Sequence, residues 1–163
     1  MELPAGRYFI GDPSYLLDQA ELDPILALAR RDRLQVHGGV WFWRTAYGDG
    51  LYALQHGSKR EPERIAVDSG KLCVLPAAAY GRESLMARLP RERMLRLVAE
   101  IELCEPCLAY VEAGDLYLGD VKVHTSDQTT PTYAAWSALP DRDAASTEID
   151  ARVPFSTLAV HGF

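Results

Sequence analysis

Val40-Trp41-Phe42-Trp43-Arg44-Thr45-Ala46-Tyr47-Gly48-Asp49-Gly50-Leu51-Tyr52-Ala53-Leu54-Gln55 and Arg64-Ile65-Ala66-Val67-Asp68-Ser69-Gly70-Lys71-Leu72-Cys73-Val74-Leu75-Pro76 decide the fold. Each is a pair of aromatic or β-branched runs around a glycine turn, Gly48-Asp49-Gly50 in one and Asp68-Ser69-Gly70 in the other. Such turns between strand-forming runs are the strongest short-range signal for a β-hairpin. The reading is therefore two consecutive hairpins joined by a polar loop. Alternation within them sorts the side chains by face. Trp41, Trp43, Thr45, Tyr47, Tyr52 and Leu54 form the expected core face, and Phe42, Arg44, Ala46, Leu51 and Gln55 the wetter one. In the second pair Ile65, Val67, Leu72 and Val74 are expected inside.

Outward from this stretch, Arg7-Tyr8-Phe9-Ile10 reads as a first strand stopped by Gly11-Asp12-Pro13. Asp23-Pro24 has the form of a helix start, a carboxylate cap followed by proline. It opens an expected helix over about 24–33 with arginines gathered at its C-terminal end. A second helix is expected over about 90–102, because Met94, Leu97, Val98 and Ile101 recur at helical spacing. A third hairpin follows, 107–111 with 116–123, then a long polar loop at about 125–147 and a last strand over 155–160. The fold class expected is α+β: an antiparallel sheet of consecutive hairpins with two packed helices, in a single domain over 1–163.

The chain has 163 residues, 48% of them hydrophobic and 25% charged, with a formal net charge of −6. That length suffices for one substantial core. The acidic balance argues against nucleic acid, whose affinity comes largely from Lys and Arg neutralising phosphates. No apolar run approaches the roughly 20 residues of a membrane span, and the N-terminus lacks the pattern of a secretory signal. Three cysteines do not make a disulfide framework and suit a reducing cytoplasm. The expected location is cytoplasmic and the expected partner a protein, with self-association open and no nucleic acid, membrane or cofactor.

Four glycines are followed by aspartate: Gly11-Asp12, Gly48-Asp49, Gly114-Asp115 and Gly119-Asp120. Turn formation explains the pairing, since glycine takes positive φ and aspartate bonds its own backbone. The alternative is chemical. Asp12, Asp49 and Asp68 are candidate catalytic carboxylates if they converge. Asp120, on an apolar face by parity, and His124 join them, with a bulge at Gly119 as the competing reading of Asp120. Converging carboxylates would suit a hard cation, yet no metal-ligand spacing occurs and no metal site is assigned. Cys104-Glu105-Pro106-Cys107 has the form of a redox dithiol but follows a helix pattern instead of opening one, so buried small hydrophobes are the simpler reading. No P-loop, G-x-S-x-G or H-E-x-x-H is present.

Gly11-Asp12-Pro13-Ser14-Tyr15, then Thr45-Ala46-Tyr47-Gly48-Asp49-Gly50-Leu51-Tyr52, then Val67-Asp68-Ser69-Gly70-Lys71-Leu72 resemble a known pattern. It belongs to a group of small uncharacterised bacterial and phage proteins carrying G-D-P-C-Y, T-A-Y-G-D-G-x-Y and V-D-[SA]-G. The resemblance covers roughly 5–76, brings no activity with it, and has Ser14 where the pattern has cysteine. With catalytic motifs absent, the functional expectation is a non-catalytic cytoplasmic binding or regulatory module, in toxin immunity or phage–host modulation. Its contacts would come from Tyr15, Phe42 or Trp136. The alternative is a small hydrolase-like enzyme using the Gly-Asp carboxylates, with or without a divalent metal.

Overall fold

The computed structural model describes residues 1–56, 63–88, 97–124 and 156–160. Its elements are β1 (Glu2–Leu3), β2 (Gly6–Gly11), α1 (Pro13–Leu16), α2 (Gln19–Leu28), β3 (Gln35–His37), β4 (Val40–Arg44), β5 (Gly50–His56), β6 (Glu63–Val67), β7 (Lys71–Pro76), α3 (Arg82–Arg88), β8 (Val98–Leu103), β9 (Cys107–Glu112), β10 (Asp115–Leu118), β11 (Val121–His124) and β12 (Ser156–Val160). They form two six-stranded sheets. The first runs β1-β9-β10-β11-β5-β6, the second β12-β8-β2-β7-β4-β3. Pairing is antiparallel except for β12 along β8. The α+β class is as expected; the arrangement of its strands is not.

Neither of the two leading hairpins forms. β4 pairs with β7 and β3, whereas β5 pairs with β6 and β11. The 45–49 turn therefore carries the chain from the second sheet to the first, and the Asp68-Ser69-Gly70 turn carries it back. The hairpins nearby are β5–β6 and β3–β4. The physical reason is that both faces of the second sheet need cover. Trp43, Leu72, Val74, Tyr8 and Ile10 face Tyr52, Leu54, Ile65 and Val67 across the gap between sheets, in one buried cluster. The opposite face of the second sheet, with Phe9, Val40, Phe42, Cys73 and Leu75, packs on Leu16, Leu22, Ile25 and Leu85 of the helices. Alternation sorted Trp43, Tyr52, Leu54, Ile65, Val67, Leu72 and Val74 onto the inter-sheet face as expected. The face expected to be wetter is buried as well at Phe42 and Leu51, and which strands lie side by side depends on the corner.

Phe42, expected on the wetter face and as a binding residue, is 0% exposed beneath the helices. Tyr47, expected inside, lies beyond the end of β4 and is exposed. Trp43 joins the sheets, its indole Nε1 donating to Gly114 O at 2.8 Å.

The helices also shift. The cap of α2 is Asp18, not Asp23: Asp18 Oδ1 accepts from Glu21 N at 3.0 Å and Glu21 Oε2 accepts from Asp18 N at 3.2 Å, a reciprocal capping box. Pro24 thus falls inside α2, and 29–33 leave the helix. Arg31 Nη1 donates to Ala46 O at 3.1 Å, and Arg31 O accepts from Gly114 N at 2.8 Å. Of the helix expected over 90–102, Val98–Leu103 is strand β8; residues 89–96 lie outside the described residues. Ala99, Ile101 and Leu103 point between the sheets while Val98 packs on the helix side. Within β8 Ala99, Ile101 and Leu103 alternate with Val98, Glu100 and Glu102, the period of two of a strand; the helical spacing arises only by joining Met94 and Leu97 to Val98 and Ile101.

The third hairpin forms and continues, β9–β10 followed by β10–β11. The long loop expected at 125–147 lies outside the described residues.

Candidate functional site

Asp12 follows β2 directly and caps α1, and the residue is 0% exposed. Oδ1 accepts from Ser14 N and Ser14 Oγ, both at 2.7 Å, and from Ser69 Oγ at 2.8 Å. Oδ2 accepts from the backbone N–H groups of Asp68 and Ser69, the latter at 2.7 Å. Five donors fill the roughly four lone-pair sites a carboxylate offers. Nothing is left with which to take a proton or hold a cation.

Beside it the other two turns interlock. Thr45, buried at the end of the β4 ladder, accepts from Gly48 N at 3.1 Å, and its hydroxyl lies 2.8 Å from Gly48 O and 3.0 Å from Gly70 O. Thr45 N donates to Gly70 O at 3.1 Å, and the Tyr52 hydroxyl donates to Gly48 O at 2.6 Å. Gly70 has φ +66°, and a Cβ there would sit 3.2 Å from Gly48 Cα, so the two turns touch backbone to backbone. Tyr15, half-buried, donates its hydroxyl to Asp68 Oδ2 at 3.2 Å. The three sequence blocks at 11–15, 45–52 and 67–72 thus meet in one hydrogen-bonded knot where the chain twice changes sheets.

Asp49, on the rim of the knot, has its carboxyl pushed above the usual carboxylate range by burial, then by Asp68 and Asp12. The Gly70 N–H and Lys71 act in the opposite direction. Next to it opens a cleft of about 420 Å³, lined by Arg30, Arg44, Asp49, Lys71 and the backbone of Gly48 and Gly70. Arg44 stands directly across the β4–β7 ladder from Lys71. Arg30 Nη1 lies 3.2 Å from Ala29 O at the end of α2, and Lys71 Nζ donates to Ser69 O at 2.9 Å. No hydrogen bond or ion pair engages the Arg44 guanidinium among the described residues.

Of the predicted residues, Asp12, Asp49 and Asp68 are brought together. Asp120 and His124 belong elsewhere. Gly119 and Asp120 are the two loop residues between paired Leu118 and Val121, and Gly119 has φ +58°, a primed hairpin turn rather than a strand position or bulge. Asp120 and Glu105 reinforce the effect of burial in raising the Cys107 thiol. His124 Nε2 lies 3.1 Å from Gln55 Oε1, on the strand face opposite buried Val121 and Val123. Cys104 is exposed and Cys107 buried in a strand-to-strand connection, not a helix-to-strand one, and both are free thiols. Trp136 lies outside the described residues. Among the described residues no group of three or more His, Cys, Asp or Glu side chains is arranged to hold a metal ion. No described helix is long and apolar enough to cross a membrane.

Sequence reading missed Thr45, Ser69 and the cations of the cleft. Arg44 and Lys71 were legible as outward-facing residues, but only the β4–β7 pairing makes them neighbours. Comparison with known proteins adds no relative: no family model matches the chain, and no curated protein or solved structure matches it significantly.

Proposed function

We propose that the chain is a non-catalytic binding or regulatory module acting through a protein partner, with toxin immunity or phage–host modulation as its setting. The observation that carries this reading is the saturation of Asp12. An enzyme built on the three converging carboxylates needs the buried one, Asp12, free to exchange a proton or ligate a cation beside the other two. Asp12 instead closes the knot with five donors. That leaves Asp49 and Asp68, one on the rim and one accepting from Tyr15. A carboxylate so occupied builds a rigid surface, and rigidity before contact lowers the cost of binding.

Affinity capture from host lysate with the tagged full chain tests this reading. A stoichiometric protein partner, retained by the parent and identified by mass spectrometry, is the expected result. Recovery of no such partner, together with hydrolytic turnover that disappears in Asp49→Asn, would reinstate the enzyme.

A further inference from the structure

We propose that the cleft between the end of α2 and the β4–β7 ladder is a binding site for a phosphate monoester. Arg30, Arg44 and Lys71 all line it, facing one carboxylate, Asp49. Three cations against one carboxylate in the lining suit the roughly −1.5 to −2 of a phosphate monoester at neutral pH, with Asp68 and Asp12 lying behind Asp49 on the side of the knot. This cluster stands out on a chain whose formal net charge is −6.

The placement of Arg44 and Lys71 carries the inference furthest. They are direct cross-strand partners, and like charges set directly opposite one another destabilise a sheet. Lys71 is anchored by Ser69 O, with Asp49 near enough to feel its charge, and Arg30 by the carbonyls at the end of α2, contacts that fix the positions of both cations. Arg44 keeps its planar fork of donors unengaged among the described residues. A guanidinium fork matches phosphate oxygens in pairs, and a lysine beside it supplies a point charge. A phosphate bridging the two replaces their repulsion with two attractions. The cleft's 420 Å³ lies in the range of small-molecule sites, so the group enters on a small organic phosphate.

Purified protein alone tests the site, so the result does not depend on whether a protein partner exists. ¹H–¹⁵N spectra are followed during titration with inorganic phosphate, glycerol phosphate and succinate at fixed ionic strength. Saturable shifts confined to the amides of 30, 44, 48–49 and 69–71 are expected with both phosphates. Arg44→Gln with Lys71→Gln should weaken that binding by about tenfold or more. Arg44→Lys with Lys71→Arg, which keeps the charge and exchanges the geometry, should keep the glycerol phosphate response. Arg44→Gln alone should raise the urea midpoint of the ligand-free protein, because it removes one of two opposed charges. Absence of saturable phosphate shifts, equal binding by the glutamine pair, or succinate binding as tightly as glycerol phosphate would each overturn the proposal.

Discussion

Asp12 is the residue whose replacement tests the architecture most directly. Its five donors differ in kind: Ser14, Asp68 and Ser69 contribute fixed backbone N–H groups, while Ser14 Oγ and Ser69 Oγ are hydroxyls that can rotate. Asp12→Asn turns one oxygen into an NH₂ donor. In the Oδ2 place it would confront two backbone N–H groups, neither of which can turn away. In the Oδ1 place it confronts one, and the hydroxyls can reverse to accept from it. The asparagine therefore settles with its nitrogen on the Ser14 side, losing the cap of α1 and the charge on the remaining bonds. That loss is worth about 2–3 kcal/mol.

Asp12→Ala is worse. It strands three part-buried backbone donors, each costing about 1–3 kcal/mol when unmet, and water entering the gap recovers only some of this. A total of about 4–5 kcal/mol is expected, a large share of the roughly 5–15 kcal/mol that holds a typical domain together. Urea unfolding followed by tryptophan fluorescence measures both, with an unchanged slope showing that stability alone has moved. If Asp12→Asn fell within about 0.5 kcal/mol of the parent, as a surface substitution does, the carboxylate would not be the clamp. Equal losses from asparagine and alanine would sink the orientation argument separately. Ser69→Ala in the Asp12→Asn background should cost less than in the parent, because the two share a bond.

Two further substitutions probe neighbouring features. Gly11→Ala places a Cβ 2.5 Å from Leu97 O and 3.0 Å from Leu16 Cδ1, so the melting temperature should fall by several degrees for an overpacking cost of about 1–3 kcal/mol; an unchanged melt would contradict the close approach. Asp49→Asn reports on pH. The native carboxyl titrates above its ordinary 3.8, so between these values the folded state holds more protons than the unfolded state, and stability declines as pH rises through that window. The asparagine variant removes the decline: it should exceed the parent in urea midpoint at neutral pH and lose that advantage near and below pH 3.8. A variant less stable than the parent at pH 7 would refute the raised titration.

What the sequence displayed, and what it hid, divides along the range of the interaction. Alternation is local, so Ile65, Val67, Leu72 and Val74 were legible as one buried set, and so was the first strand over 7–10. The Asp18–Glu21 box was equally local, but Asp23-Pro24 mimicked a cap five residues further on. Pairing is not local. Nothing between Thr45 and Gly50 announces a change of sheet, because a hairpin turn and an inter-sheet corner both use glycine and aspartate between apolar runs. Convergence of Asp12, Asp49 and Asp68 was legible as a conditional. Its outcome depended on Ser14, Ser69 and two backbone N–H groups, which turned the Asp12 carboxylate into a fastening.

The fastening bears on the cleft. Opposed cations in a ladder are ordinarily separated by a change of register or by a strand end that peels away. Here neither escape is open. A one-residue slip of β4 against β7 would turn Trp43 out of the core between the sheets and break its bond to Gly114. Peeling the end of β4 would break the Thr45 bonds to Gly70 and Gly48, which join the corner to the turn that Asp12 clamps. The repulsion between Arg44 and Lys71 is thus held in place by the parts of the molecule most costly to disturb. An anion seated between them relieves it without moving the backbone, which is why binding at this cleft should register as added stability rather than as a change of shape.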